Sequence, residues 1–436
     1  MSSHNYQQLD GTLREIMRRW DIPGLAVGIV HKNDVTFTGF YGVQSLQTMA
    51  PVTPDSIFCT ASVSKCFTAC AVMRLVEDGK VTLDDPLIDF LPAYRMADSR
   101  YRKITIRQML CHTSGMPDLT EHEYDNLMLH PEMDEGALQR FVQSLETRSL
   151  AAAPGERFLY SNIAFNVLGF LVASVSGMTF EHYMQGHILR PAGMIESTFY
   201  FPEVPNDRLT VPHLRLPLMA VNPHYPYHRA DAPSSFLHAT LADMCAWITT
   251  SLKQNVILSP ANYEVMWTPA VARGAPPFYE ASSPGWTLGH YDGWKTVSHG
   301  GMGFGWTDFL VMLPELDCGA VILCNEESFA RSRTVEAVVR AMLGLEPHVG
   351  TVSWMVPVSR ALGEGGTQGA RVCAAALQAD TESGYLVEPD GLPNLAIQLS
   401  SGGKNDLAAE VLKLNLDAFP GHAETMSALA SLEALS

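Results

Sequence analysis

Ser62 and Lys65 stand three positions apart in the stretch Phe58-Cys59-Thr60-Ala61-Ser62-Val63-Ser64-Lys65-Cys66-Phe67. If this stretch opens a helix, that spacing puts both side chains on one face, one turn apart. A serine hydroxyl is a poor nucleophile until a neighbouring base takes its proton. A lysine one turn away can take it, or can hold another base ionised. Two further clusters follow: Tyr160-Ser161-Asn162, then His299-Gly300-Gly301-Met302. A phenol titrates near pH ~10 in water, and an adjacent ammonium favours its ionised form. Asparagine offers both a donor and an acceptor, and glycines in a strand let a second backbone come close. Which of Lys65 and Tyr160 acts as the base is open at this level.

The elements that position these groups follow from pattern. Leu9, Leu13, Ile16, Met17 and Trp20 recur at helical spacing. Gly24–Val30 is a continuous apolar run and Val35–Tyr41 alternates, so two strands are expected around a Lys32-Asn33-Asp34 turn. A helix over about residues 63–77 carries Lys65, and Gly79 closes it. Residues 85–250 are helix- and loop-rich, with a helix from Ile163 to Ser176 ended by Gly177, a proline-rich irregular loop over 202–236, and a helix start at Thr240. Strands return at Gly285–His290, Lys295–His299, Thr307–Leu313 and Cys318–Cys324, before a helix near Thr334–Leu343. N- and C-terminal strands therefore bracket a helical insert. The fold class is α/β (an α+β sandwich): an antiparallel sheet flanked by helices, with an all-helical subregion. The expected division is a catalytic domain over 1–345, an irregular linker over 346–385 centred on Gly363–Gly369, and a helical hairpin over 386–436 of tetratricopeptide type. One such hairpin cannot bury its own face. It is expected to pack on the catalytic domain or on a second copy of the chain, which leaves a homo-oligomer open.

Ser-x-x-Lys, then Tyr-x-Asn, then a Lys- or His-led glycine triplet, in that order, resembles the penicillin-recognising serine hydrolases: class C β-lactamases, DD-peptidases and related esterases. Leu75–Pro86, Ile104–Gly115 and Pro154–Phe158 resemble further segments of that family, and the likeness runs from about residue 10 to about residue 345. It implies a β-lactamase-like fold, Ser62 as nucleophile and Lys65 with Tyr160 as the proton-moving pair. It also implies that Asn162, His299, Gly300 and Gly301 orient substrate, and that the backbone N–H groups of Ser62 and Met302 form an oxyanion hole. The substrate implied is a small-molecule or peptide-like ester or amide, cleaved through an acyl-Ser62 enzyme. An acyltransferase using an alcohol or amine acceptor shares every motif. A silent binding protein on the same fold is the reading from another class, against which the intact Ser62, Lys65, Tyr160 and Asn162 set argues. His299 departs from the lactamase pattern, because histidine is mostly neutral at pH 7 whereas lysine carries a fixed charge for a substrate carboxylate. Ser234-Ser235-Phe236 stands where relatives usually carry Gly-Gly, so Phe236 or His238 is expected to narrow the cleft.

Composition excludes some alternatives. The 436 residues carry a formal net charge of −17, and no basic cluster suits nucleic acid. No apolar run is long enough for a membrane span, and no secretory leader is evident, so a cytoplasmic protein is expected. The eight cysteines lack a C-x-x-C pair and are expected to be reduced, mostly buried thiols. His112, His122 and the other histidines show no metal-ligand spacing. No metal or cofactor is expected.

Overall fold

The computed structural model describes residues 3–327, 330–380 and 382–433. Helix α1 (Ser3–Trp20) buries Leu9, Leu13, Ile16 and Trp20 on one stripe. A hairpin follows, β1 (Gly24–His31) and β2 (Asp34–Gly42). Lys32 and Asn33 turn it with positive φ values of 52° and 69°, the conformation a two-residue hairpin loop requires. Six later strands complete one sheet: β3 (Val271–Ala275), β4 (Tyr279–Ser283), β5 (Trp286–Tyr291), β6 (Trp294–Gly303), β7 (Trp306–Leu313) and β8 (Cys318–Cys324). Their order is β2-β1-β8-β7-β6-β5-β4-β3, antiparallel throughout.

Period-two alternation divides β1 between two cores. Ala26 and Val30 join a core with Phe67, Phe165 and Trp247. Leu25, Val27 and Ile29 join another with Leu13, Val338 and Trp354. The first core holds helices α2 (Ser64–Glu77), α3 (Asn162–Ser176) and α4 (Leu241–Lys253). Every residue of α2 from Ser64 to Met73 is buried, as befits a helix enclosed on all sides. Phe67 stacks on Trp247 with ring centroids 4.0 Å apart. The second core holds α1 and α5 (Arg331–Met342), and it continues without a break into the C-terminal helices.

Several expectations needed correction. Strands β3 and β4 were not legible, because Gly274 and the prolines at 276 and 277 punctuate them and β3 is a largely exposed edge. The 202–236 segment, expected as irregular loop, contains short strands His213–Arg215 and Met219–Val221 and helical turns at Arg229–Asp231 and Ala232–Ser235. The expected linker is helix α6 (Met355–Ala379), broken at Gly366 with φ 61° and ψ −162°. The break folds its two halves against each other. A Cβ on Gly369 would stand 2.6 Å from the Ala361 carbonyl oxygen, so the glycines serve close packing as well as the bend.

The C-terminal unit has three helices where two were expected: α7 (Gly391–Ser401), α8 (Asn405–Ala418) and α9 (Ala423–Glu433). It docks on the sheet-bearing part of the chain. Arg215 N–H donates to Gln398 Oε1 at 2.8 Å, and Gln398 Nε2 donates to the Glu327 carbonyl at 2.5 Å. Leu392, Leu395, Leu399, Val411 and Leu412 are buried in the shared core. Ending the chain at Gly365 is therefore expected to strip cover from Trp354, Val358 and Leu362. Each such side chain accounts for about 1.5–3 kcal/mol of burial. Calorimetry should show a lower Tm and light scattering should show association. A monodisperse truncated protein with unchanged Tm would refute the shared core.

Candidate active site

The turn that presents Ser62 is the 3₁₀ segment Ala61–Val63, just before α2. Ala61 has φ 42°, a conformation that costs a non-glycine residue energy and persists only where surroundings enforce it. Thr60 N–H donates to the Leu237 carbonyl at 2.8 Å, and Leu237 N–H donates to Ser64 Oγ at 2.9 Å. Strand β6 presses from the other side. A Cβ on Gly301 would stand 2.6 Å from the Thr60 carbonyl and 3.1 Å from the Ser62 nitrogen. On Gly300 it would stand 2.7 Å from the Tyr279 hydroxyl. The two glycines thus make room for the protein's own turn and neighbouring side chains. Pairing of β6 with β5 stops at Ser298, while pairing with β7 continues to Gly303. From His299 onward one edge of β6 is open beside Ser62.

Two donors converge on the serine. Lys65 Nζ and the Tyr160 hydroxyl each lie 3.0 Å from Ser62 Oγ. Lys65, fully buried, also donates to Asn162 Oδ1 at 2.6 Å and to the Ser234 carbonyl at 2.8 Å. Its three donors go to Ser62, Asn162 and Ser234, and Nζ sits 5.0 Å from the Tyr160 ring centroid. Burial brings the Lys65 ammonium down to about 7, partly opposed by the carboxylates of Asp118 and Asp231. Burial pushes the Tyr160 phenol up, only partly offset by its hydrogen bond to Ser62. Of the two, the lysine is the group poised to lose a proton near neutral pH.

Helix α3 delivers Asn162. Ser161 caps it, accepting from Ala164 N–H at 3.1 Å. Asp118 fixes the amide: its carboxylate accepts from Asn162 N–H at 3.1 Å and from Nδ2 at 2.7 Å. That leaves Oδ1 facing the lysine. A carboxylate also suits the positive end of a helix. His112 is buried and stacks on Tyr160 with centroids 4.4 Å apart; its Nδ1 accepts from Ser161 N–H at 3.1 Å. Burial, reinforced by the Lys65 charge, lowers the His112 imidazolium well below its ordinary value.

His299 is 5% exposed. Burial and the nearby Lys65 charge bring it down to about 3, and its Nδ1–H donates to the Gly300 carbonyl at 2.9 Å. It contributes a neutral ring to a cavity of about 230 Å³ lined also by Ser62, Tyr160, Arg273 and Arg331. A second cavity, about 170 Å³, opens on another side of Ser62 and is lined by Tyr124, Phe236, Phe304 and Trp306. Phe236 does narrow that wall. His238 does not line either cavity; its Nε2 meets the Tyr225 hydroxyl at 2.8 Å. A larger polar cavity of about 480 Å³ lies elsewhere and holds the ion pair of Arg229 with Glu181 at 2.7 Å.

Sequence reasoning missed Asp118, the Ser234 carbonyl, Arg273 and Arg331. No local pattern marks them, because each reaches the site through tertiary packing.

A polar sheet edge, a serine on a strained turn and a buried lysine one helical turn on define an α/β serine-hydrolase-type site. A model of the Beta-lactamase family matches residues 9–344, and the chain belongs to that family. Protein flp of Staphylococcus aureus (strain MW2) is 24% identical over 342 residues, covering 77% of this chain and 66% of flp. Unguisins hydrolase ungD' of Aspergillus campestris is 26% identical over 367 residues, with 78% and 66% covered. The chain thus spans about two thirds of the length of these curated relatives. The octameric penicillin-binding protein homologue from Pyrococcus abyssi superposes with TM-score 0.69 at 25% identity, over 81% of this chain and 80% of its own. SurE shares the fold, with TM-score 0.67 at 22% identity over 80% and 79%. Among the described residues no single helix is long and apolar enough to cross a membrane.

Proposed function

We propose that this protein is a hydrolase that cleaves an ester or amide through an acyl-Ser62 intermediate. The observation that carries this reading is the convergence of Lys65 Nζ and the Tyr160 hydroxyl on Ser62 Oγ, both at 3.0 Å. A neutral lysine has two N–H donors and one lone pair. Asn162 Oδ1 and the Ser234 carbonyl take the two donors, so the lone pair faces the Ser62 hydroxyl. Lys65 accepts the serine proton as Oγ attacks the substrate carbonyl. The backbone N–H groups of Ser62 and Met302 hold the resulting oxyanion; such donors are worth roughly 2.7–4 kcal/mol each. Tyr160 carries the proton to the leaving group as the carbon–oxygen or carbon–nitrogen bond breaks. Water, activated by the same pair in reverse, then releases the acid.

The pH profile tests the choice of base. Only neutral Lys65 can accept the proton, and its pKa lies at about 7, so kcat/KM for an activated ester should rise through an inflection near neutrality and level off above it. A profile flat from pH 6 to 9 would exclude Lys65 as the base. Neutral His299 supplies no fixed charge on the strand edge itself, and the cavity's cations, Arg273 and Arg331, come from other elements, so p-nitrophenyl esters should surpass nitrocefin in kcat/KM by at least ~10-fold, the scale of one charge-assisted hydrogen bond. His299→Lys should narrow the gap; lactamase-like nitrocefin turnover by wild type would contradict this assignment.

Acyl transfer is favoured as a second activity by the aromatic cavity beside Ser62, which gives an acceptor other than water a dry seat. Product analysis with added alcohols or amines separates the two activities.

A further inference from the structure

The catalytic cavity does not end at the open edge of β6. Met302 and Arg331, which line it, also line a neighbouring cavity of about 470 Å³. That second space is roughly twice the size of the first. Its far wall belongs to the C-terminal unit: Asp390, then Pro393, Asn394 and Ile397 from α7, and Glu424 and Ala428 from α9, so two carboxylates that can accept from peptide N–H groups join the apolar side chains. Met302 and Ile397 are each 44% exposed, so neither side chain is committed to a core. Arg331 opens α5, and its charge acts on the buried Asp308 carboxylate and on His299. The Arg331 guanidinium stands where the two cavities meet.

We infer that the C-terminal unit is part of the substrate site, and that a peptide-like chain, bound with its scissile carbonyl at Ser62, runs over Met302 and Arg331 into the groove bordered by α7 and α9. This rests on the hydrolase reading above and names the class of substrate for that same site. The lining selects a peptide over an alkyl chain. An alkyl chain would desolvate Arg331 and Asn394 without pairing them, which is costly for a polar group and more so for a charge. Peptide carbonyls accept from both, and peptide side chains can cover Pro393, Ile397 and Ala428. The position of the unit also accounts for why the chain devotes α6 to folding back over the outer core: α7 and α9 are carried to the mouth of the catalytic cavity.

The test uses the full-length protein and two substrate series. One comprises p-nitrophenyl esters with acyl parts from acetyl to N-acetyl-tetrapeptide. The other comprises acetyl esters of hydroxy-acids lengthened on the alcohol side by one to four residues. In one of the two series kcat/KM should rise by at least about tenfold from shortest to longest. Ile397→Trp, which fills the groove, and Arg331→Gln, which removes the cation, should each bring the long-to-short ratio close to one, with thermal melts showing the variants folded. Labelling of Ser62 by a fluorophosphonate is measured in parallel. No length dependence in either series, with Ser62 labelled, overturns the groove and leaves the hydrolase intact. Length dependence that survives both substitutions in folded protein also overturns it. A wild-type Ser62 that resists labelling and turns over no ester overturns the hydrolase reading and this inference together.

Discussion

Ser62→Ala should remove turnover of every ester and amide, by roughly 10⁴-fold or more in kcat, while circular dichroism and Tm stay close to wild type. The expected loss is large because nothing nearby can replace the hydroxyl. Cys59 lines the aromatic cavity, but burial pushes its thiol up, and its Sγ–H donates to the Ser235 carbonyl at 3.4 Å. The thiol, unlike the thiolate, is not a useful nucleophile. Cys66 is buried behind Lys65, with its thiol likewise held protonated. The stability effect should be small because Ser62 is only half-buried and its partners keep other interactions. Residual activity above a few per cent in folded Ser62→Ala would place the nucleophile elsewhere.

The second large effect is shared between Lys65 and Tyr160. Tyr160→Phe and Lys65→Met should each lower kcat by at least ~10², the low end for a positioned proton-transfer group. The double variant should fall little further than the worse single one, since residues that act as a unit do not contribute additively. The two substitutions should differ in stability. Tyr160 loses one hydroxyl bonded to Ser62. Lys65→Met leaves the Ser234 carbonyl and Asn162 Oδ1 without their donor in a buried site, at about 1–3 kcal/mol for each unsatisfied group. Multiplicative losses in the double variant would argue that the two groups work in separate steps.

The parts of this site that were legible in sequence are those fixed by local geometry. Ser62 and Lys65 share a turn, Tyr160 and Asn162 flank a helix cap, and His299 to Gly301 share a strand edge, so residue type and spacing already constrain their placement. Asp118, Ser234, Arg273 and Arg331 carry no such local signature. Arg273 arrives on β3, an edge strand interrupted by glycine and proline, and its guanidinium stacks on Phe158 and Tyr279 at 4.5 and 4.9 Å. Both rings come from other elements. The same limit explains α6. Its glycines favour a linker on composition alone, yet packing against Leu218 and Ala361 stabilises a bent helix, and tertiary contacts of this kind routinely override propensity. The sheet itself was legible at its four apolar strands and at the N-terminal hairpin, where alternation and turn chemistry agree.

Trapping the acyl-enzyme tests the central claim most directly. Wild-type protein is mixed with a slowly hydrolysed p-nitrophenyl ester, quenched in acid, and examined by intact mass and peptide mapping. The expected result is one acyl adduct per chain, on Ser62, formed with stoichiometric release of p-nitrophenol and absent from Ser62→Ala. An adduct on any other residue, or p-nitrophenol released with no adduct even under single-turnover conditions, would contradict an acyl-Ser62 mechanism.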